Sequence, residues 1–394
     1  MKELLINLLK LLSIYFVACL LLPLRLFPIR KNRILFTSLT GGKYMEYSCN
    51  PKYIYECLND KYPKQYQIIW MFAEPHMYRK LISPDIILVK HYTIKSFYYL
   101  LTSKIVITNG SYVPWFLFRK KQVIINTWHG GGAYKALNLR EDSVGNIIRK
   151  RNKIAGKNTS VFVTSSNAFT QFVIRGAFGF QGNVLNTGMP RNDFLVRQDT
   201  ERAEKKVREY FGLKKDDNIV LYAPTYRDNN TFEKLDTLVV IKELEKQTGK
   251  NWICLQRLHR YDVKNEPEEI LAQQILDATE YGDMQELLAA SDILITDYSS
   301  SIWDYSFLYR PCFLYVPDLI YYKSNRGFYV EPEKWHFRYA CTQKELIEEL
   351  KYLEKEEWEE RMKMHHSDLE SCETGQASER VVQYIREISM KNNL

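Results

Sequence analysis

The chain is expected to fold as an α/β protein with parallel sheets, in two units with a ligand cleft between them. Three observations predict this. Short apolar, β-branched runs alternate with helical patterns along most of the chain. Polar motifs sit at the ends of those runs, where open parallel sheets bind their ligands. At 394 residues, 45% of them apolar, the chain is long enough to build two cores.

The N-terminus comes first. Leu4 to Leu22 is almost wholly apolar, broken by Asn7, Lys10 and Ser13, and Pro23 ends the run. Arg25, Arg30, Lys31 and Arg33 follow. Such a run just reaches across a bilayer. Lys10 inside it favours a tilted or in-plane helix half sunk in the interface, and the cations after Pro23 suit anionic headgroups on the cytoplasmic side. No small-x-small site precedes Pro23, which argues against a cleaved signal peptide. An ordinary buried helix is the competing reading. Residues 1–30 are assigned as the membrane-associated helix.

Strands are expected at 33–38, 67–71, 86–89, 105–108, 123–127, 160–164 and 183–186, with a helix opening at Asn50-Pro51-Lys52. They form a first unit over 31–198. The charged helix from Glu201 to Tyr210 marks the junction. The second unit, 199–394, has strands at 219–223, 252–255, 293–296 and 312–315, and closing helices at Glu345–Glu356 and Ser378–Met390.

The formal net charge is +8. No RRM, zinc-finger or KH signature accompanies it, so phosphates and a membrane surface are favoured over nucleic acid. Two stretches fit: Pro114 to Lys121, and Arg149-Lys150-Arg151 with Lys153 and Lys157. Both also read as a core hairpin and a solvated helix face. The 7 cysteines lack CxxC spacing and read as reduced thiols, without a disulfide framework or zinc site. No dedicated metal cluster is evident.

Four motifs carry chemistry. Trp128-His129-Gly130-Gly131-Gly132 puts an imidazole at a strand end amid open backbone. His129 suits a general base, and the glycines permit close approach of a substrate. A structural histidine in a tight turn is the alternative. Ala223-Pro224-Thr225-Tyr226-Arg227 places a hydroxyl and a guanidinium after a strand, and Arg227 is a natural bidentate phosphate ligand. Arg257 and His259 alternate along extended chain and point to one side, where they would stabilise charge on a transferring phosphorus. Last, Asp297-Tyr298-Ser299-Ser300-Ser301 is a strand–turn–helix that offers hydroxyls and N–H groups to an anion. Asp304, seven positions after Asp297, falls near the same helical face, and Asp318, Tyr322 and Arg326-Gly327 follow. His365 and His366, in a charged helix, read as solvated.

In this order the motifs resemble the CDP-glycerol glycerophosphotransferase family of teichoic-acid and capsule polyol-phosphate transferases. The likeness runs from about residue 33 to 385. It rests on Trp128-His129-Gly130, Ala223 to Arg227, Arg257 and His259, Asp297 to Ser300, Asp304, Pro311, Asp318, Tyr322 and Arg326 to Tyr329. Asn50-Pro51-Lys52 and Gly188 to Asp193 also match. The resemblance implies a GT-B architecture of two Rossmann-like domains, CDP-alditol held mainly by the second, and monotopic attachment at the cytoplasmic face of the cell membrane. One departure stands out. Teichoic-type members often continue the turn as Thr-Pro-Leu-Lys, whereas Gly131-Gly132-Ala133-Tyr134-Lys135 sets the lysine one place later.

The expected reaction is attack by an acceptor hydroxyl on the alditol-bearing phosphorus of CDP-glycerol or a related CDP-alditol, releasing CMP. His129, His259 and Arg257 are the expected catalytic residues. Thr225, Arg227, Asp297, Ser299, Ser300, Asp304 and Arg326 are assigned to donor and phosphate binding. Gly130, Gly131 and Lys135 are assigned to the acceptor side, with a lipid-linked or capsular glycan as acceptor. No cofactor is called for. A GT-B sugar transferase and a non-catalytic nucleotide- or lipid-binding subunit are the alternatives. Glycerol against ribitol, acceptor identity and oligomeric state stay open.

Overall fold

The computed structural model describes residues 19–40, 44–110, 118–137, 143–225, 233–258 and 274–391. Its first sheet contains β1 (Arg30–Thr37), β4 (Gln67–Phe72), β5 (Ile87–Lys90), β6 (Ser103–Thr108), β7 (Val123–Asn126), β8 (Val161–Thr164) and β9 (Asn183–Asn186). The short antiparallel pair β2 (Leu39–Thr40) and β3 (Tyr44–Met45) stands apart. The sheet order is β5-β4-β1-β6-β7-β8-β9, and every pairing is parallel. Chain order therefore reverses direction at β1, between β4 and β6. Helices α1 (Cys49–Lys61), α2 (Ile94–Thr102) and α3 (Ser143–Asn158) belong to this unit. Thr93 and Ser96 form a capping box that starts α2.

The second sheet contains β10 (Asn218–Tyr222), β11 (Trp252–Gln256), β12 (Ile275–Asp277), β13 (Ile293–Thr296), β14 (Cys312–Tyr315) and β15 (Arg338–Ala340). Its order is β12-β11-β10-β13-β14-β15, again all parallel. Its order reverses between β10 and β13. Its helices are α4 (Glu201–Phe211), α5 (Thr237–Thr248), α6 (Met284–Ala290), α7 (Ser301–Ser306), α8 (Leu319–Asn325), α9 (Gln343–Glu349), α10 (Lys355–Asp368) and α11 (Ala377–Lys391). Asp236 caps α5 by accepting the Leu238 and Val239 N–H groups, and Gly249 ends it in the left-handed region.

The strands buried on both faces carry continuous apolar runs and stand within about three residues of their expected positions. Two differences have physical causes. The single helix expected over 345–356 is split into α9 and α10. Arg338 holds the break together: it pairs with Glu349 at 2.8 Å and Glu357 at 2.6 Å, and lies 3.5 Å over the Tyr352 ring between them. α11, assigned by sequence to the second unit, returns to the first. Val381, Val382 and Ile385 join Ile54 and Leu58 of α1 in that core.

Most of the expected N-terminal anchor lies outside the described residues. Cys19 and Leu20 are helical and Leu22–Leu26 form a 3₁₀ turn. Among the described residues no helix is long and apolar enough to cross a membrane. All 7 cysteines are free; Cys49, Cys254 and Cys312 are buried and Cys19 is exposed.

Candidate active site

Both switch points carry the expected motifs at the carboxyl ends of their strands. In the first sheet, β6 runs into Asn109 and β7 into the Trp128–Gly132 loop. His129 Nδ1 lies 2.8 Å from the Asn109 carbonyl oxygen. A carbonyl only accepts, so Nδ1 carries the proton and Nε2 keeps a free lone pair. His129 remains solvent-accessible. Surrounding protein, with Arg191 and Lys135 adding positive charge, pushes its pKa down to about 4, so the ring is neutral near pH 7.

The loop's backbone is unusual. Trp128 and Ala133 have φ of 52° and 59°, and Gly132 has φ of 72°. A Cβ on Gly131 would stand 2.2 Å from the Trp303 indole of α7, whereas one on Gly130 would meet nothing nearer than 3.4 Å. Gly131 thus allows the first unit's loop to lie flush on the second unit. Lys135 forms a backbone bridge with Phe328, and the Ala136 N–H donates to the Gly327 carbonyl at 3.1 Å. The Tyr329 hydroxyl accepts the Leu137 N–H at 3.0 Å.

In the second sheet, β10 leads into Thr225 and β13 into Asp297. Asp297 is buried. Its carboxylate accepts the Thr225 backbone N–H at 2.9 Å and the Thr225 hydroxyl. Ser299 and Ser300 remain half-exposed just before α7 begins at Ser301, and Ser299 Oγ accepts the Ser301 N–H at 3.3 Å. Tyr298 points inward. Its hydroxyl donates to Asp318 at 3.0 Å, and its ring packs 4.0 Å from Tyr322, so the downstream motif is folded under the turn. Arg326 follows α8, with its guanidinium 5.8 Å from the Tyr322 ring centre. Arg257 continues the β10 ladder through its N–H to Tyr222, and its guanidinium donates to the Tyr281 carbonyl at 2.7 Å.

Asp304 has a setting the sequence pattern did not anticipate. Asp297 precedes α7 rather than riding on it, so the two carboxylates do not share a helical face. Asp304 is buried; Arg191 donates to its Oδ1 at 3.0 Å and Gln285 donates to its Oδ2 at 3.0 Å. Arg191 also donates to the His129 carbonyl at 2.7 Å. Asn50 accepts the Arg191 N–H at 3.1 Å and donates to the Trp128 carbonyl at 3.1 Å. A second buried pair, Lys52 with Asp283 at 2.6 Å, joins the same two units. Arg227 and His259 lie outside the described residues.

Sequence reasoning assigned no role to Asn50, Lys52 or Arg191, although they lie inside recognised motifs. It missed Glu373 entirely. This half-buried carboxylate accepts the Met189 N–H at 2.9 Å, Asn192 at 3.1 Å and the Trp303 indole N–H at 3.1 Å. Burial pushes its pKa up to about 8 against those three bonds. The expectation that His365 and His366 are solvated is corrected. His365 is 1% exposed and bonded to Tyr134, and His366 stacks on Phe307 at 4.3 Å. Among the described residues no group of three or more His, Cys, Asp or Glu side chains is arranged to hold a metal.

Two parallel α/β sheets, with a neutral imidazole at one switch point and a hydroxyl-rich turn at the other, describe a group-transfer enzyme. Residues 20–387 match the family described as CDP-Glycerol:Poly(glycerophosphate) glycerophosphotransferase, and the chain belongs to it. The chain is 32% identical over 320 residues to a teichoic acid poly(glycerol phosphate) polymerase of Bacillus spizizenii, covering 78% of this chain and 80% of that one. It is 30% identical to the polymerase of the same description from Staphylococcus epidermidis over 92% of its own length, and spans 51% of that protein. A variant structure of the wall teichoic acid polymerase TagF superposes with a TM-score of 0.81 at 26% identity, covering 93% of this chain and 91% of that one. The chain is a CDP-glycerol glycerophosphotransferase-like enzyme.

Proposed function

We propose that this enzyme transfers glycerol phosphate, or a related alditol phosphate, from CDP-glycerol to a hydroxyl of a lipid-linked or capsular glycan. The acceptor oxygen attacks the alditol-bearing phosphorus, the bond from that phosphorus to the bridging oxygen breaks, and CMP leaves. The acceptor proton passes to His129 Nε2. The observation that carries this role is the 2.8 Å bond to the Asn109 carbonyl, which commits Nδ1 as donor and frees Nε2.

Ser299, Ser300 and Thr225, the last ordered by Asp297, hold the donor phosphates with Arg227, Arg257, His259 and Arg326. CMP is a good leaving group, so positioning and electrostatics carry most of the catalysis. Gly130, Gly131 and Lys135 border the acceptor. Asp304 acts one step back, holding Arg191 and through it the His129 loop. The two parallel sheets support a GT-B arrangement, with units of about 31–198 and 199–376 and α11 returning to the first.

The reading extends to the membrane surface. Leu20, Leu22, Leu26 and Phe27 are exposed beside Arg25 and Lys31, an apolar and basic combination that suits peripheral attachment at the cytoplasmic face. Flotation with anionic vesicles tests it: a chain that stays at the bottom of the gradient contradicts it.

The activity is tested by incubating the full chain with CDP-glycerol, CDP-ribitol or UDP-sugars and a lipid-linked acceptor. CMP release is expected. UDP release would assign a sugar transferase instead, and His129→Ala retaining full turnover would remove the base.

A further inference from the structure

We propose that Tyr134 is a positioning residue for His129, acting across the two units through His365. The inference rests on the reading of His129 as the base.

Tyr134 belongs by sequence to the first unit, five residues after His129, yet its side chain is part of the second unit's core. It is 3% exposed. Its hydroxyl lies 2.6 Å from His365 Nε2 of α10, its ring is parallel to that imidazole at 5.7 Å, and Trp335 packs on it at 4.7 Å. Its carbonyl accepts the Tyr329 N–H at 3.0 Å. The loop end is therefore plugged into the second unit, while the Asn109 carbonyl holds the His129 end to the first.

Little slack separates those two anchors. Gly131 lies on Trp303, and a Cβ on Gly132 would stand 2.4 Å from the Tyr134 ring. Ala133, with φ of 59°, is held in a region that non-glycine residues rarely adopt. Such strain persists only where the surroundings over-determine the backbone. The Tyr134–His365 bond anchors the residue that directly follows that strained one. Burial holds the imidazole well below the ordinary histidine pKa and the phenol well above its own, so the bond joins two neutral groups near pH 7. Breaking it leaves a polar atom unpaired in an apolar core and frees the loop.

The test is Tyr134→Phe in the full chain, with the His129 titration followed by NMR without substrate. The groups facing His129 are the Asn109 carbonyl, Arg191 and Lys135. A loosened loop should move the two cations away and hydrate the ring further, which outweighs any weakening of the Asn109 bond, so the His129 titration should shift up toward that of an ordinary histidine. The kcat for CMP release should fall about tenfold, with KM for CDP-glycerol within about twofold. His365→Gln, which keeps an acceptor for the hydroxyl, should retain most of the wild-type titration and kcat. An unshifted His129 titration in Tyr134→Phe, with only thermal stability lowered, would overturn the proposal and leave Tyr134 as core packing. Wild-type protein inactive on CDP-glycerol would sink the proposed activity, while the titration would still decide the positioning role.

Discussion

The Asp297 turn is held by its own unit, whereas the His129 loop is held largely by its neighbour. Asp297 takes its partners from Thr225, one strand away in the same sheet, and Tyr298 reaches Asp318 in the same unit. The His129 loop lies on Trp303, is stitched to Gly327–Tyr329, and depends on Arg191, whose guanidinium is paired with Asp304. Damage to the turn should therefore stay local. Damage to the loop should report on the docking of the two units.

The largest effect tests the loop's chemistry. On the proposed role of His129 as base, His129→Ala should lower turnover by about 10²–10⁴-fold while leaving CDP-glycerol binding measurable by calorimetry. Equal loss of binding and turnover would move His129 to the donor side of the comparison.

The interdomain pair comes next. Asp304→Ala leaves the Arg191 guanidinium buried without its carboxylate, and should cost about 3–5 kcal/mol in denaturant unfolding. Replacing both partners, as Arg191→Met with Asp304→Leu, should restore much of that stability without restoring activity, since the bond to the His129 carbonyl is also gone.

A matched glycine pair separates close approach from ordinary loop tolerance. Gly131→Ala should destabilise by about 1–3 kcal/mol, because the indole it meets is buried and cannot move away. Gly130→Ala should stay within about 0.5 kcal/mol. Similar melting temperatures for the two would mean the loop does not sit on Trp303.

Smaller still, Thr225→Val removes one hydroxyl from the Asp297 carboxylate. It should cost about 1 kcal/mol and raise KM for CDP-glycerol, with the His129 titration unmoved. A shifted titration would show that the two walls are coupled.

The pH dependence is the weakest and broadest test. His91 and His366 have pKa values pushed down to about 4 by burial, His129 is pushed down to about 4 by the surrounding protein and the charges of Arg191 and Lys135, and burial holds His365 well below the ordinary histidine value. The unfolded chain binds protons at these sites from about pH 6.5 downward, before the folded chain does. Stability from these groups is thus complete above about pH 6.5 and declines as pH falls through about 4. Glu373 acts in the opposite sense. With a folded pKa of about 8, it weakens the fold as pH rises through that value. Melting temperature should accordingly peak between the two limbs, and Tyr134→Phe should flatten the acid limb if loosening that cluster lets water reach His365.

Much of the architecture was legible because it is repetitive. A strand buried on both faces must be apolar along its whole length, so Ile293–Thr296 and Val123–Asn126 declare themselves. The three-residue edge strands Ile275–Asp277 and Arg338–Ala340 are too short and too polar for that signal. The proposed site was legible as residue types at strand ends, and less so in how each side chain is held. His129, Thr225, Asp297 and Ser299 stand just past strand ends, as their sequence motifs indicated. Asp304 looked the same in sequence, yet burial and Arg191 make it a support. Glu373 carries no local signal, because its three donors come from Met189, Asn192 and Trp303, all more than sixty residues away.

By itself the sequence determined the parallel α/β class, the order of the strands along the chain, the motifs at their ends and the family those motifs belong to. These depend on periodicity and local turn chemistry, which neighbouring residues encode. Only the tertiary structure decided which strands meet at each switch point, that α11 returns to the first unit, and that the His129 loop rests on Trp303 and Tyr134 on His365. Those outcomes depend on steric fit and burial between distant segments, and no short stretch of chain contains both partners.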